Sequence, residues 1–408
     1  MMKILPLALV MLISTCFCSV AQINFKPGKW SASLFREDGI RIPLELAIQN
    51  HKGKSTIYIV NGTERLMVDA PVVEGDSLII KMPVFESYFK VKLIGNNKLK
   101  GYWIKGGSAK NVIIPFEAYA AGTRFSVLKA VSNHNLTGKW NIQFLKADQT
   151  TRPAIGNFVQ KNNVLSGSVL TPTGDYRYMD GLVYGDSLIM STFDGIHALL
   201  FKAKVEAGKI KGTFYSSASP SETWSGVKDA DITLTAPVTS IKEGSDGKLN
   251  FAYLDLEGKK VSLADDRFKN KVVIIQLMGS WCPNCMDEMA FLSEYYRKNR
   301  DRGVEIIALA YELSTDVERS RKSLLRFQKQ FNVEYPILNT GVTVGDKQRT
   351  EKTLPQLTEI SVFPTSIILD KEGLVKEINT AFYGPGTGEY YTAYKSHFEK
   401  TINALLTK

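Results

Sequence analysis

Cysteine is scarce in this chain, with four in 408 residues, and two of those, Cys16 and Cys18, lie in the apolar opening stretch. A disulfide-rich scaffold is therefore excluded, and a chain this long buries enough core to stand without such staples. Histidine is equally rare. His51, His134, His197 and His397 show no paired spacing, so a structural zinc site built on two close cysteines would lack its other ligands. Long apolar runs are missing too: the longest, Ile4 to Ile13, is about half of what a bilayer-crossing helix needs, and no transmembrane helix follows downstream. The chain carries 51 Lys and Arg against 41 Asp and Glu, but no nucleic-acid motif accompanies that excess. The Arg319-Ser320-Arg321-Lys322 cluster beside Glu318 reads as a solvated helix face.

What is present begins with an export pattern. Lys3, the apolar run and the small-residue triplet Ser19-Val20-Ala21 before Gln22 match a cleaved signal peptide over residues 1–21. A lipid anchor on Cys16 is the weaker alternative, because Thr15 is larger than the residue that usually precedes a modified cysteine. The expected location is the periplasm or cell envelope. The chain after the signal then keeps one close pair of thiols, Cys282 and Cys285.

Two stretches ahead of that pair resemble each other. Gly28-Lys29-Trp30 recurs as Gly138-Lys139-Trp140, and Gly75-Asp76-Ser77-Leu78-Ile79 as Gly185-Asp186-Ser187-Leu188-Ile189, both at an offset of 110 residues. Leu99-Lys100-Gly101 and Ile210-Lys211-Gly212 follow one residue out of step, as an inserted loop residue would give. Tandem modules are expected at 22–125 and 130–232. Alternation at Ile42, Leu44, Leu46 and Ile48, and the turn at Asn61-Gly62, mark antiparallel strands. Each module is expected to be an all-β barrel or sandwich. The Gly-x-Trp opening faintly resembles a lipocalin's, while Trp30 and Trp140 read more simply as core plugs.

Residues 233–250 read as a linker, and 251–408 change to alternating strand and helix. Phe251 to Leu263 suits a hairpin, Val272 to Leu277 a buried strand, and helical patterning starts at Pro283. Trp281-Cys282-Pro283-Asn284-Cys285 therefore sits where a strand gives way to a helix. Pro283 suits the first helical position, where its missing N–H costs nothing. The free backbone donors and the helix dipole would stabilise a thiolate on Cys282, the species that attacks disulfides. Cys285 shares a stripe with Met289, Leu292 and Tyr296, so it is expected to be shielded and to resolve the mixed disulfide. Glu288 lies at the edge of that stripe. Desolvation there would raise its pKa and fit it to exchange a proton with Cys285. Asp287 points away and is expected to be solvated.

From about residue 245 onward the chain resembles the thioredoxin superfamily, specifically the TlpA/ResA-like thiol-disulfide oxidoreductases. The resemblance rests on Trp281-Cys282-x-x-Cys285-x-x-Glu288, on Lys271-Val272-Val273, and on Val362-Phe363-Pro364-Thr365 before Ile367 to Gly373. It implies that Pro364 is a cis-proline packed against the dithiol, with Trp281 and Phe363 beside it in the substrate groove. It implies no cofactor beyond a redox-active Cys282-Cys285 disulfide. It also implies a membrane thiol donor of the DsbD or CcdA type, and disulfide-bearing exported clients such as apocytochrome c. Gln276 stands where relatives carry Asp or Asn, which throws more of the proton handling onto Glu288. A peroxiredoxin is disfavoured, since its activating Thr would stand at Gly279. The rival reading is a ligand- or partner-binding protein that works through the β modules, with an accessory redox domain.

Overall fold

The computed structural model describes residues 23–52, 54–108, 110–125, 132–217 and 219–407. The expected signal segment, its cleavage site and Cys16 lie outside the described residues. Among those described, no helix is long and apolar enough to cross a membrane.

The first β unit is a nine-stranded antiparallel sheet running from Glu64–Met67 at one edge to Val72–Glu74 at the other. It stays open, which corrects the expectation of a closed barrel or a sandwich: its two edge strands are short and do not pair with each other. The second unit does close. Val164–Thr171 pairs with both Thr151–Lys161 and Met179–Tyr184, completing a ring of strands. Alternation does the expected work, since Ile42, Leu44, Leu46 and Ile48 are all buried. Gly62, at φ +56°, supplies the tight turn into Glu64–Met67.

Both interiors are filled with side chains. Trp30, Trp103, Phe89 and Phe116 occupy the first, and Trp140, Phe144, Phe201, Phe214 and Trp224 the second. Trp30 and Trp140 hold matching places, each donating its indole N–H to a carbonyl four residues earlier, Lys26 and Leu136, at 2.8 Å. They are core plugs rather than walls of a ligand chamber.

The α/β domain has a seven-stranded sheet. One of its interior strands, Val272–Met278, is buried along its whole length. Such a run suits a strand covered on both faces. It pairs in parallel with Val304–Ala310 and antiparallel with Thr365–Leu369. The sheet extends to Val375–Thr380 on one side, and to Ile337–Asn339 and the hairpin Ala252–Asp255/Lys260–Ser262 on the other. Its helices are α1 (Pro283–Asn299), α2 (Val317–Phe331), α3 (Arg349–Thr353) and α4 (Glu389–Leu406). The stretch expected to be a linker lies along this domain through bridges Ile241 to Leu357 and Lys248 to Leu374.

The basic cluster on α2 is not simply a solvated face. Arg319 reaches Glu86 of the first β unit at 2.7 Å, Ser320 is buried, and Arg321 donates to the Leu256 carbonyl at 2.7 Å. Phe85 of the same unit meets Phe327 of α2 edge to face, with ring centres 6.2 Å apart.

Candidate active site

That buried strand, Val272–Met278, ends at its methionine, and the chain turns through Gly279 to Trp281 into α1. Cys282 is the N-cap of that helix, with extended backbone, and Pro283 follows at the first helical position. The Cys282 Sγ accepts the Cys285 backbone N–H at 3.2 Å. A sulfur thereby takes the place that a Ser or Asp oxygen usually holds at a helix start. Both thiols are unlinked and buried. Cys285 is fully buried, and burial first, then its hydrogen bond to Cys282, pushes its thiol well above the ordinary range.

The stripe behind Cys285 is as expected, with Met289, Leu292 and Tyr296 buried. Glu288 belongs to it rather than snorkelling to water, at 1 % exposed. Its carboxylate accepts from Ser366 Oγ at 2.6 Å, Tyr394 Oη at 3.0 Å and Gln276 Nε2 at 2.9 Å. Burial raises its pKa, and these three neutral donors only partly oppose the shift. Gln276 is therefore a partner of Glu288. Ser366 and Tyr394 escaped the sequence reading. Ser366 alone carried a hint, as a hydroxyl inside an apolar strand.

Pro364 follows a cis peptide bond from Phe363. The Phe363 carbonyl lies 3.6 Å from the Cys282 Sγ, and the Phe363 ring meets Trp281 edge to face at 5.8 Å. The indole of Trp281 donates to the Tyr311 carbonyl at 2.8 Å. Beneath that turn Glu312 accepts from the Ser280 N–H at 2.8 Å and from its hydroxyl at 2.5 Å. Burial pushes the Glu312 carboxyl up to about 7.

Asp287 overturns the expectation of a solvated side chain. It is buried and pairs with Arg177 of the second β unit at 3.1 Å. Arg177 has a φ of +55° and also pairs with Glu64 of the first unit. Burial pushes Asp287 up to about 7; the guanidinium opposes this, while Asp175, Glu64 and Asp194 add to it. A helix wheel considers only the helix it is drawn for, and the partner that buries Asp287 comes from 110 residues earlier.

A helix-start dithiol beside a cis-proline, on a mixed sheet covered by helices, defines a thioredoxin-superfamily member. Residues 246–378 match the AhpC/TSA family. The thiol-disulfide oxidoreductase ResA of Bacillus thuringiensis subsp. konkukian (strain 97-27) is 36% identical over 127 residues, covering 31% of this chain and 63% of that protein. ResA of Geobacillus kaustophilus (strain HTA426) is 30% identical over 142 residues, covering 35% of this chain and 71% of that one. A thiol:disulfide interchange protein of the thioredoxin family from Chlorobium tepidum TLS aligns with a TM-score of 0.29 at 18% identity, covering 39% of this chain and 95% of that one. Through its α/β domain the chain belongs to the TlpA/ResA-like family. It spans 63% of the length of the Bacillus thuringiensis relative, and its β units lie ahead of the segment matched by the AhpC/TSA family.

Proposed function

We propose that the protein is an exported thiol-disulfide oxidoreductase of the cell envelope that reduces disulfides in other exported proteins. The observation that carries this reading is Cys282 at the cap of α1, its sulfur held by the Cys285 N–H at 3.2 Å. The Cys282 thiolate attacks a substrate disulfide, forms a mixed disulfide and expels one substrate thiolate, which takes up a proton. Cys285 gives its proton to the Glu288 carboxylate and attacks the Cys282 sulfur. The second substrate thiolate leaves and is protonated, and Cys282 and Cys285 end joined, two electrons having passed to the substrate. Trp281, Phe363 and Pro364 form the wall along which the substrate backbone lies. A membrane thiol donor of the DsbD or CcdA type would return the pair to the reduced state, and apocytochrome c is a client of suitable chemistry. The β units, read as copies of one another, have filled interiors, which weighs against the rival reading of a small-ligand carrier. The test is direct. Cys282→Ser should abolish reduction of insulin disulfides, and Cys285→Ser should accumulate a mixed disulfide; retained reduction by Cys282→Ser, or no mixed disulfide with Cys285→Ser, would overturn the mechanism.

A further inference from the structure

The β units cover the start of α1 on two sides. On one side lies the turn Gly174–Arg177 of the second unit. Asp175 Oδ2 accepts from Asn284 Nδ2, between the two cysteines, at 3.0 Å, and from the Gly384 N–H at 2.7 Å. Arg177 pairs with Asp287 at 3.1 Å and points a guanidinium nitrogen at the Pro283 carbonyl, 3.5 Å away. On the other side Glu86, Gly106 and Ile196 face Trp281 and Glu312 across a gap of about 10 Å³, no larger than one water.

The nucleophile and the loop before Pro364 present little surface. Cys282 is 4 % exposed, Val362 2 % and Phe363 9 %. A disulfide in a polypeptide must bring its sulfur to about 3–3.5 Å from the attacking thiolate, with its backbone alongside. The β units flank that approach through Asn284 and Asp287 on one side and Trp281 on the other. The two β units are themselves pinned together by Asn61 and Phe193, at 2.9 and 3.1 Å, by Ser191 and the Pro43 carbonyl at 2.7 Å, and by Arg124 and Asp180 at 2.7 Å. They form one paired body, joined to the α/β domain through residues 232–240, which form no helix or strand, and held to α2 by Glu86 on Arg319 and Phe85 on Phe327.

Resting on the dithiol reading above, we infer that the paired β units are a lid latched over the dithiol by Asp175 and Arg177, which must lift before a polypeptide disulfide can reach Cys282. A small disulfide needs a smaller opening than a polypeptide does. The latch thus selects by substrate size and holds the reduced thiols away from chance oxidants. It differs from a specificity pocket, because weakening it should raise activity toward large substrates.

Gly386 offers a wedge that removes no charge. A Cβ there would meet the Arg177 and Tyr178 backbone at 2.6 to 2.9 Å. The full chain, as wild type, Gly386→Ala and Asp175→Ala, is assayed for reduction of insulin and of oxidised glutathione. Overpacking at Gly386 and loss of the Asp175 contacts both weaken the closed state, so either variant should speed insulin reduction about tenfold relative to glutathione reduction. An unchanged ratio in the folded variants overturns the lid. Failure of every form to reduce either disulfide overturns the dithiol reading instead. A second measurement needs no latch variant: a short cysteine peptide disulfide-linked to Cys282 in the Cys285→Ser chain should accelerate amide hydrogen exchange in residues 171–178. Unaltered exchange there would also overturn the lid.

Discussion

The second turn of α1 has an inner and an outer face, and each buries a carboxyl in a different way. Inside, Glu288 is ringed by neutral donors, Ser366, Tyr394 and Gln276, all from the α/β domain. Outside, Asp287 meets a cation, Arg177, that it shares with Glu64. A carboxyl held by neutral donors can gain or lose a proton without stranding a partner, as a proton carrier must. A carboxyl held by a shared buried guanidinium is tied into the structure, because changing either charge leaves the other uncompensated. On the proposed mechanism, neighbouring residues of one helix would serve chemistry on one side and attachment on the other.

The sharpest way to break this contrast is Arg177→Met. It leaves the buried Asp287 and the partly buried Glu64 without their cation, and breaking a buried pair in this way costs about 3–5 kcal/mol. Urea denaturation should show that loss. A change under about 1 kcal/mol, the range of exposed pairs, would mean that the outer face is wet and the contrast false.

Glu312 sharpens the outer side through pH. Its folded pKa, about 7, lies above the ordinary 4.5, so between those values the folded state holds the extra proton. Stability from this group is then full below about pH 4.5 and falls as pH rises to about 7, by about 3 kcal/mol at roughly 1.4 kcal/mol per unit. Asp287 contributes a slope of the same sign in the same window. Glu312→Gln does not titrate and should flatten the Glu312 part, read as denaturation midpoints at several pH values. A slope identical to wild type would show that Glu312 is ionised throughout.

For the inner face, Glu288→Gln keeps the shape and removes the proton acceptor. Resolution by Cys285 should slow about a hundredfold, the low end of what a positioned acid or base supplies. The first attack by Cys282 should be little changed, so quenched reactions should catch the mixed disulfide in wild-type cysteine background. Equal slowing of both steps would make Glu288 a packing residue.

The helix stripe and Glu288 of the inner face were legible from sequence because their signals are local, whereas Ser366 and Tyr394 reach Glu288 from 78 and 106 residues away. Cys285, Met289, Leu292 and Tyr296 repeat at helical spacing, Pro283 marks the helix start, and Glu288 falls at the stripe's edge. The outer face was not. Arg177 and Asp175 lie in a turn with no motif, and nothing near Asp287 announces that a guanidinium will cover it. The β units divide in the same way. Alternation and turns marked their strands, yet whether a sheet closes depends on pairing lengths: Val164–Gly167 meets Met179–Leu182 in the second unit, whereas Glu64–Met67 and Val72–Glu74 end too soon in the first.

Tyr394 gives the smallest and most selective test. It reaches Glu288 from α4, at 3.0 Å, so it is the inner donor contributed by the last helix rather than by the sheet. Burial first, and then the Glu288 carboxylate, push its phenol well upward, so the hydroxyl keeps its proton and can only donate to the carboxylate. Tyr394→Phe removes one of the three donors that favour the charged carboxylate, raising the Glu288 pKa further. A hydrogen bond to a charged group is worth about 1.5–3 kcal/mol, but Ser366 and Gln276 remain, so the net effect should be about 1 kcal/mol. The pH at which resolution becomes half-maximal should therefore move up by somewhat under one unit, at roughly 1.4 kcal/mol per unit. The plateau rate at high pH should stay close to wild type. A lowered plateau with an unmoved midpoint would show that Tyr394 positions the helix and leaves the proton alone.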